Sequence, residues 1–154
     1  MSVSRIAMYE TAFKIAADYF PLGAGFGQFG SWMSRIYYSP LYEKYGLSSI
    51  YGLSKEAPYH ITDTFYPMLI AELGFLGCFI YLVFIFNISY PIFIKLKSGG
   101  LPPLKRVFCL AGIVIMIEGL IEGIATHSLI NPPYSYFIFG VLGMAYSLKK
   151  NKDK

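Results

Sequence analysis

With 154 residues the chain has the length of one domain. It is 55% hydrophobic and only 14% charged, against about 25% charged in an ordinary soluble domain, and its mean hydropathy is +0.50. The formal net charge of +4 is small and gathers into no basic face, so composition points to a membrane protein and away from nucleic-acid binding. Cys78 and Cys109 both lie in apolar runs, which argues against a disulfide framework and leaves no ligand cluster for a metal.

The chain opens with MSVSRIAMYE, which lacks the charged and apolar regions of a signal peptide. Over residues 1–20, Ile6, Tyr9, Phe13, Ala16 and Phe20 recur at spacings of three and four, which predicts an amphipathic helix with those residues on its docking face. Next comes GAGFGQFG, Gly23 to Gly30, and from Gly25 it spells G-x-G-x-x-G. That pattern marks a dinucleotide site only between a strand and a helix. A helical period precedes it here and no crossover helix follows it, so a tight structural turn is expected and no nucleotide cofactor.

Residues 21–62 are rich in Tyr, Gly and Ser and carry no long apolar run. Tyr37, Tyr38, Tyr42, Tyr45, Tyr51 and Tyr59, with Tyr66 just beyond, read either as an aromatic belt at headgroup level or as a platform for sugar rings. DTFYPMLIAELGFLG follows: Asp63 is placed to cap a helix, Pro67 sits in its first turn, and Gly74 forms a joint before the first full span. That span, Phe75 to Ile94, has a length of about 30 Å, the thickness of a hydrocarbon core. With the short lead-in helix the segment covers 63–94. A second span is expected over 107–130, carrying Glu118 and Glu122, and a short third over 134–148. The fold class is therefore all-α and polytopic, with about three transmembrane helices, an outer-face amphipathic helix and an irregular outer loop. The basic segments KLKSGGLPPLKR and KKNKDK (149–154) fall on the same side of three spans, which the positive-inside rule makes cytoplasmic.

Two blocks carry a resemblance: SRIAMYETAFKIAADYFPLGAGFGQFG, and TDTFYPMLIAELGFLG. Together with the later acid-bearing segment EGLIEGIATHSLINPPYSYFIFGVLG, they resemble the C-terminal part of the bacterial O-antigen ligase and O-antigen polymerase family. The match covers nearly the whole chain, and its order and spacing are more specific than any one motif. Where ligases carry a His-Asn pair, this chain has Thr62-Asp63 with His60 slightly earlier, which leans towards a polymerase. Members of the family are much longer, so the chain corresponds to their last part.

The resemblance implies a multi-pass protein of the bacterial cytoplasmic membrane. It implies transfer of oligosaccharide from an undecaprenyl diphosphate carrier on the outer face, alongside other polysaccharide-assembly membrane proteins. Arg5 matches the family's arginine and is expected to bind the diphosphate, because a guanidinium meets phosphate oxygens in pairs. Arg35, Gly25 and Gly27 are weaker candidates for the same role; a solvated loop charge and a plain turn are the alternatives. Asp63, His60 and Glu72 are the candidates for handling the acceptor hydroxyl, with helix capping the competing role for Asp63. Glu118 and Glu122 share one helix face and are expected to need a partner or a wet cavity. His127 reads as interfacial. The other readings are a transporter or flippase, with Glu118 and Glu122 lining its path, and a non-catalytic part of the same family.

Overall fold

The computed structural model describes residues 3–148. Met1 and Ser2 of the predicted first helix, and the basic tail Lys149–Lys154, lie outside the described residues. The protein is all-helical, with no strand among those residues: α1 Val3–Asp18, α2 Trp32–Ile36, α3 Leu41–Lys44, a single 3₁₀ turn Leu47–Ser49, α4 Phe65–Lys97, α5 Pro103–Glu122 and α6 Tyr134–Ser147. Two compact units result, Met1–Ile80 with Gly123–His127, and Tyr81–Glu122 with Ser128–Lys154.

In the first unit, α1 is built from good helix formers and stops ahead of Pro21, which restricts the residue before it. Its buried face is not the one the periodicity suggests. Ser4, Met8, Thr11, Ala12, Ile15 and Ala16 are buried, whereas Ile6 and Phe13 are about half exposed. The bulk of this core comes from the loop: Phe29, Leu41, Tyr42, Leu47, Leu53 and Ile61 pack on Met8, Ala12 and Ile15. Large rings arriving from the loop leave room for small residues on α1, so its larger apolar side chains turn away.

The loop is more ordered than its composition suggests. Tyr42 is fully buried, stacks on Phe29 and Tyr38 at 5.3 Å each, accepts a hydrogen bond from the Gly30 N–H at 2.8 Å, and is hydrogen-bonded to Ser34 Oγ at 3.0 Å. Burial pushes its phenol well above the ordinary range, so it stays protonated. Tyr37, Tyr51 and Tyr59 are exposed. One tyrosine of the set is thus a core anchor, and the others divide between packing and surface.

α4 is broken at Gly74, where φ is 63° and ψ is −170°, into stretches 65–73 and 75–97. Among the described residues it is the one helix long and apolar enough to cross a membrane. In the second unit, α5 ends at Glu122, short of the predicted Ile130. Gly123 interrupts the helix and Asn131, Pro132 and Pro133 prevent it from resuming before α6. α5 has the length of a span but carries Lys105, Arg106, Glu118 and Glu122, and α6 has 14 residues. The two pack closely through small residues: a Cβ added at Gly112 would lie 3.3 Å from that of Ala145.

Candidate functional site

The glycine-rich turn is fitted to the break in α4. Breaking a helix frees carbonyls, and the turn supplies N–H groups to them. Ala24 donates to the Ala71 carbonyl at 2.8 Å and Gly25 to that of Glu72 at 3.0 Å, while Leu76 donates to the Pro21 carbonyl at 3.3 Å. Gly23 and Gly74 meet backbone to backbone: a Cβ on either would stand 2.4 Å from the other's nitrogen. Both have positive φ, so two glycines are required on two grounds.

The turn also encloses the carboxylate of Glu72, which is 4% exposed. The Phe29 N–H donates to its Oε1 at 2.9 Å, and the N–H groups of Gly27 and Gln28 and the Ser31 hydroxyl attend it as well. Successive N–H groups converging on one anion form a nest. The chain's own acid fills this nest, so Gly25 and Gly27 spend their N–H groups on α4 and are not open to a diphosphate. Glu72, expected beside the acceptor hydroxyl, is instead buried, with its carboxyl group taken up by the turn. A lone carboxylate taken out of water must be hydrogen-bonded, and this one is.

Three other expected residues do come together. Arg5 on α1 reaches Asp63 at 3.8 Å, and His60 Nδ1 lies 2.9 Å from the same Asp63 Oδ2. All three side chains are about one-third exposed, so the group opens to solvent. His60 is held from both sides: its N–H donates to the Gly52 carbonyl at 2.8 Å, and a Cβ at Gly52 would sit 2.0 Å from the imidazole ring. The carboxylate of Asp63, expected as a helix cap, is turned to His60 and Arg5. The first N–H of α4, that of Phe65, bonds the Gly123 carbonyl at 3.1 Å.

One residue joins the group that local sequence patterns do not reveal. His127 is 4% exposed, and its Nδ1 bonds the Thr62 carbonyl. A carbonyl only accepts, so Nδ1 carries the proton. Burial lowers the pKa of His127, against the carbonyls of Thr62 and Gly30 and the charge of Asp63, which favour the charged ring. Thr64 is fully buried. The Arg5 Nε and Thr64 Oγ1 are buried without a hydrogen-bond partner among the described residues. His127 lies 65 positions from Thr62, a separation no periodicity can bridge.

The remaining candidates lie elsewhere. Arg35 stacks over the Trp32 ring at 5.1 Å on α2. Glu118 and Glu122 are both exposed on α5; Glu122 accepts a hydrogen bond from Ser128 at 2.6 Å, and Glu118 neighbours the Tyr134 hydroxyl. Among the described residues no group of three or more His, Cys, Asp or Glu could hold a metal ion.

Chemically, the group offers a guanidinium with a donor to spare, next to a carboxylate–imidazole pair. That set can bind an oxyanion and take a proton from a hydroxyl. No protein-family model, no curated protein and no solved structure matches the chain.

Proposed function

We propose that the chain takes part in glycosyl transfer during bacterial surface polysaccharide assembly. It would work on oligosaccharide carried by undecaprenyl diphosphate, at the outer face of the cytoplasmic membrane, as a polymerase or ligase. The observation that carries this reading is the convergence of Arg5, His60 and Asp63 from two segments nearly 60 positions apart. Arg5 is the residue that the resemblance and the chemistry of a diphosphate leaving group both select, and His60 and Asp63 are selected by the chemistry of the acceptor hydroxyl.

In this reading α4, α5 and α6 each cross the membrane, and the basic segments 95–106 and 149–154 face the cytoplasm. The acceptor hydroxyl attacks the anomeric carbon, forming the new C–O bond. The bond from that carbon to the diphosphate breaks, and the leaving oxygen keeps the electron pair. Arg5 meets the charge that develops there. The Asp63–His60 pair takes the hydroxyl proton.

The test is polymer amount and length in cells whose complete protein carries each variant at matched membrane levels. Arg5→Ala should abolish polymer, and Arg5→Lys should stay impaired because it keeps the charge but loses the fork. Normal polymer from Arg5→Ala overturns the reading. The alternative, a transporter or flippase, draws on the exposed pair Glu118 and Glu122, which would line a path shared with other helices. Loss of carrier translocation in Glu118→Gln and Glu122→Gln, with Arg5→Ala silent, would favour it.

A further inference from the structure

The first unit carries an apolar surface that the proposed chemistry does not use. From Tyr19 to Ser34 the sequence has no charged residue, although all but its last three residues form a loop. A loop that stays in water ordinarily carries charge, as residues 40–63 do with Glu43, Lys44, Lys55, Glu56 and Asp63. Within the uncharged stretch Phe20 is 71% exposed, Leu22 65%, Phe26 81% and Trp32 61%. These side chains are not scattered. The Phe20 ring lies 6.4 Å from that of Phe75, where the apolar run of α4 begins, and a Cβ added at Gly27 would lie 3.3 Å from that of Met33, the residue after Trp32.

We propose that this glycine-turn surface, from Phe20 through Phe26 to Trp32, inserts into the lipid bilayer at the level of the headgroups, beside the start of the α4 span. Three observations select lipid over a protein partner. The surface continues the exposed apolar face of α4 at Phe75, Leu76 and Phe79, the helix suited to a membrane. Trp32 pairs with Arg35, an aromatic ring and a cation of the kind that settles where hydrocarbon meets headgroup. The third is the backbone. Irregular chain enters lipid only if its polar groups are satisfied by protein. Here Gly23 donates to the Tyr19 carbonyl, Ala24 and Gly25 to carbonyls of α4, Phe29 to the Glu72 carboxylate and Gly30 to Tyr42. The nest around Glu72 thereby acquires a purpose beyond folding: it lets a glycine-rich turn leave water without stranding its N–H groups.

Trp32 is the chain's single tryptophan, so the unaltered protein reports on itself. After reconstitution into phosphatidylcholine vesicles, Trp32 emission should be quenched by lipids brominated near the headgroup. Lipids brominated near the chain ends should quench it less, and aqueous acrylamide should reach it poorly. Phe26→Trp in a Trp32→Phe background should report the same depth or deeper. Two results overturn the proposal: free quenching by acrylamide with none by brominated lipid, which places the loop in water, or insensitivity to both, which places it under another protein segment or a second copy of the chain. The readout is independent of glycosyl transfer, so an inactive protein with lipid-quenched Trp32 would still support the insertion.

Discussion

The two compact units treat their polar groups in opposite ways. Of the eight buried polar or charged residues among the described ones, Ser4, Thr11, Ser34, Ser39, Thr64, Glu72 and His127 belong to the first unit, and only Ser135 to the second. The first unit draws its core from a loop, gives Glu72 and Tyr42 hydrogen-bond partners, and gathers Arg5, His60 and Asp63 at one place. The second turns Phe86, Phe93, Val114 and Phe137 outwards and places its acids Glu118 and Glu122 on the exposed side. The difference teaches that the first unit depends on an internally satisfied polar framework, whereas the second is held by little more than apolar bulk and small residues where α5 meets α6.

That contrast can be broken most forcefully at Gly74. A Cβ there would lie 2.4 Å from the backbone nitrogen of Gly23 and 2.4 Å from the Pro21 carbonyl, and neither can swing aside as a side chain would. Gly74→Ala should destabilise the first unit by about 3 kcal/mol or more, read as loss of hydrogen-exchange protection in residues 23–31. Protection across the α5–α6 pair should persist. If the second unit melts with it, the two are not separable in the way their polar content suggests.

Glu72→Ala is the next step down. It leaves the nest's N–H groups without their anion and should cost about 2 kcal/mol, with Glu72→Gln recovering part because its amide oxygen still accepts. An unchanged exchange profile in residues 25–31 would mean that the turn stands without the carboxylate. Tyr42→Phe removes a hydroxyl that serves both Gly30 and Ser34, and should cost about 1–2 kcal/mol by thermal unfolding in detergent.

His127 supplies a pH test with a definite sign. Its folded pKa is lowered, so on acidification the unfolded chain takes up the proton first. Stability is retained above about pH 6.5 and falls as the pH drops through that value, by at most about 1.4 kcal/mol per pH unit. His127→Gln should flatten this part of the profile; an unaltered slope would assign the acid sensitivity to another group. Smallest of all, Glu118→Gln and Glu122→Gln should each change detergent-phase stability by less than about 0.5 kcal/mol, since both side chains are exposed. A larger loss would give the second unit a polar requirement that its packing does not display.

Composition and periodicity by themselves determined that the chain is helical and that the run from Phe75 to Ile94 suits a bilayer, because hydrocarbon burial depends on the length and polarity of a local stretch. Gly74 was legible too, since a glycine inside an apolar helix marks a break or a close approach. The sequence also selected Arg5, His60 and Asp63 as candidates, though from motif order and chemistry; their meeting is a contact between α1 and a loop nearly 60 positions later. Tertiary structure alone decided which face of α1 is buried: rings from Phe29 and Tyr42 fill that space, and a helical wheel cannot know what will press against it. It alone decided that the nest of Gly27, Gln28 and Phe29 closes on Glu72, because a turn's N–H groups are indifferent to whether their anion is a ligand or a side chain 43 residues along. And it alone brought His127 to Thr62, where burial, a property of the folded surroundings and not of the residue, favours the neutral ring against the pull of the neighbouring carbonyls.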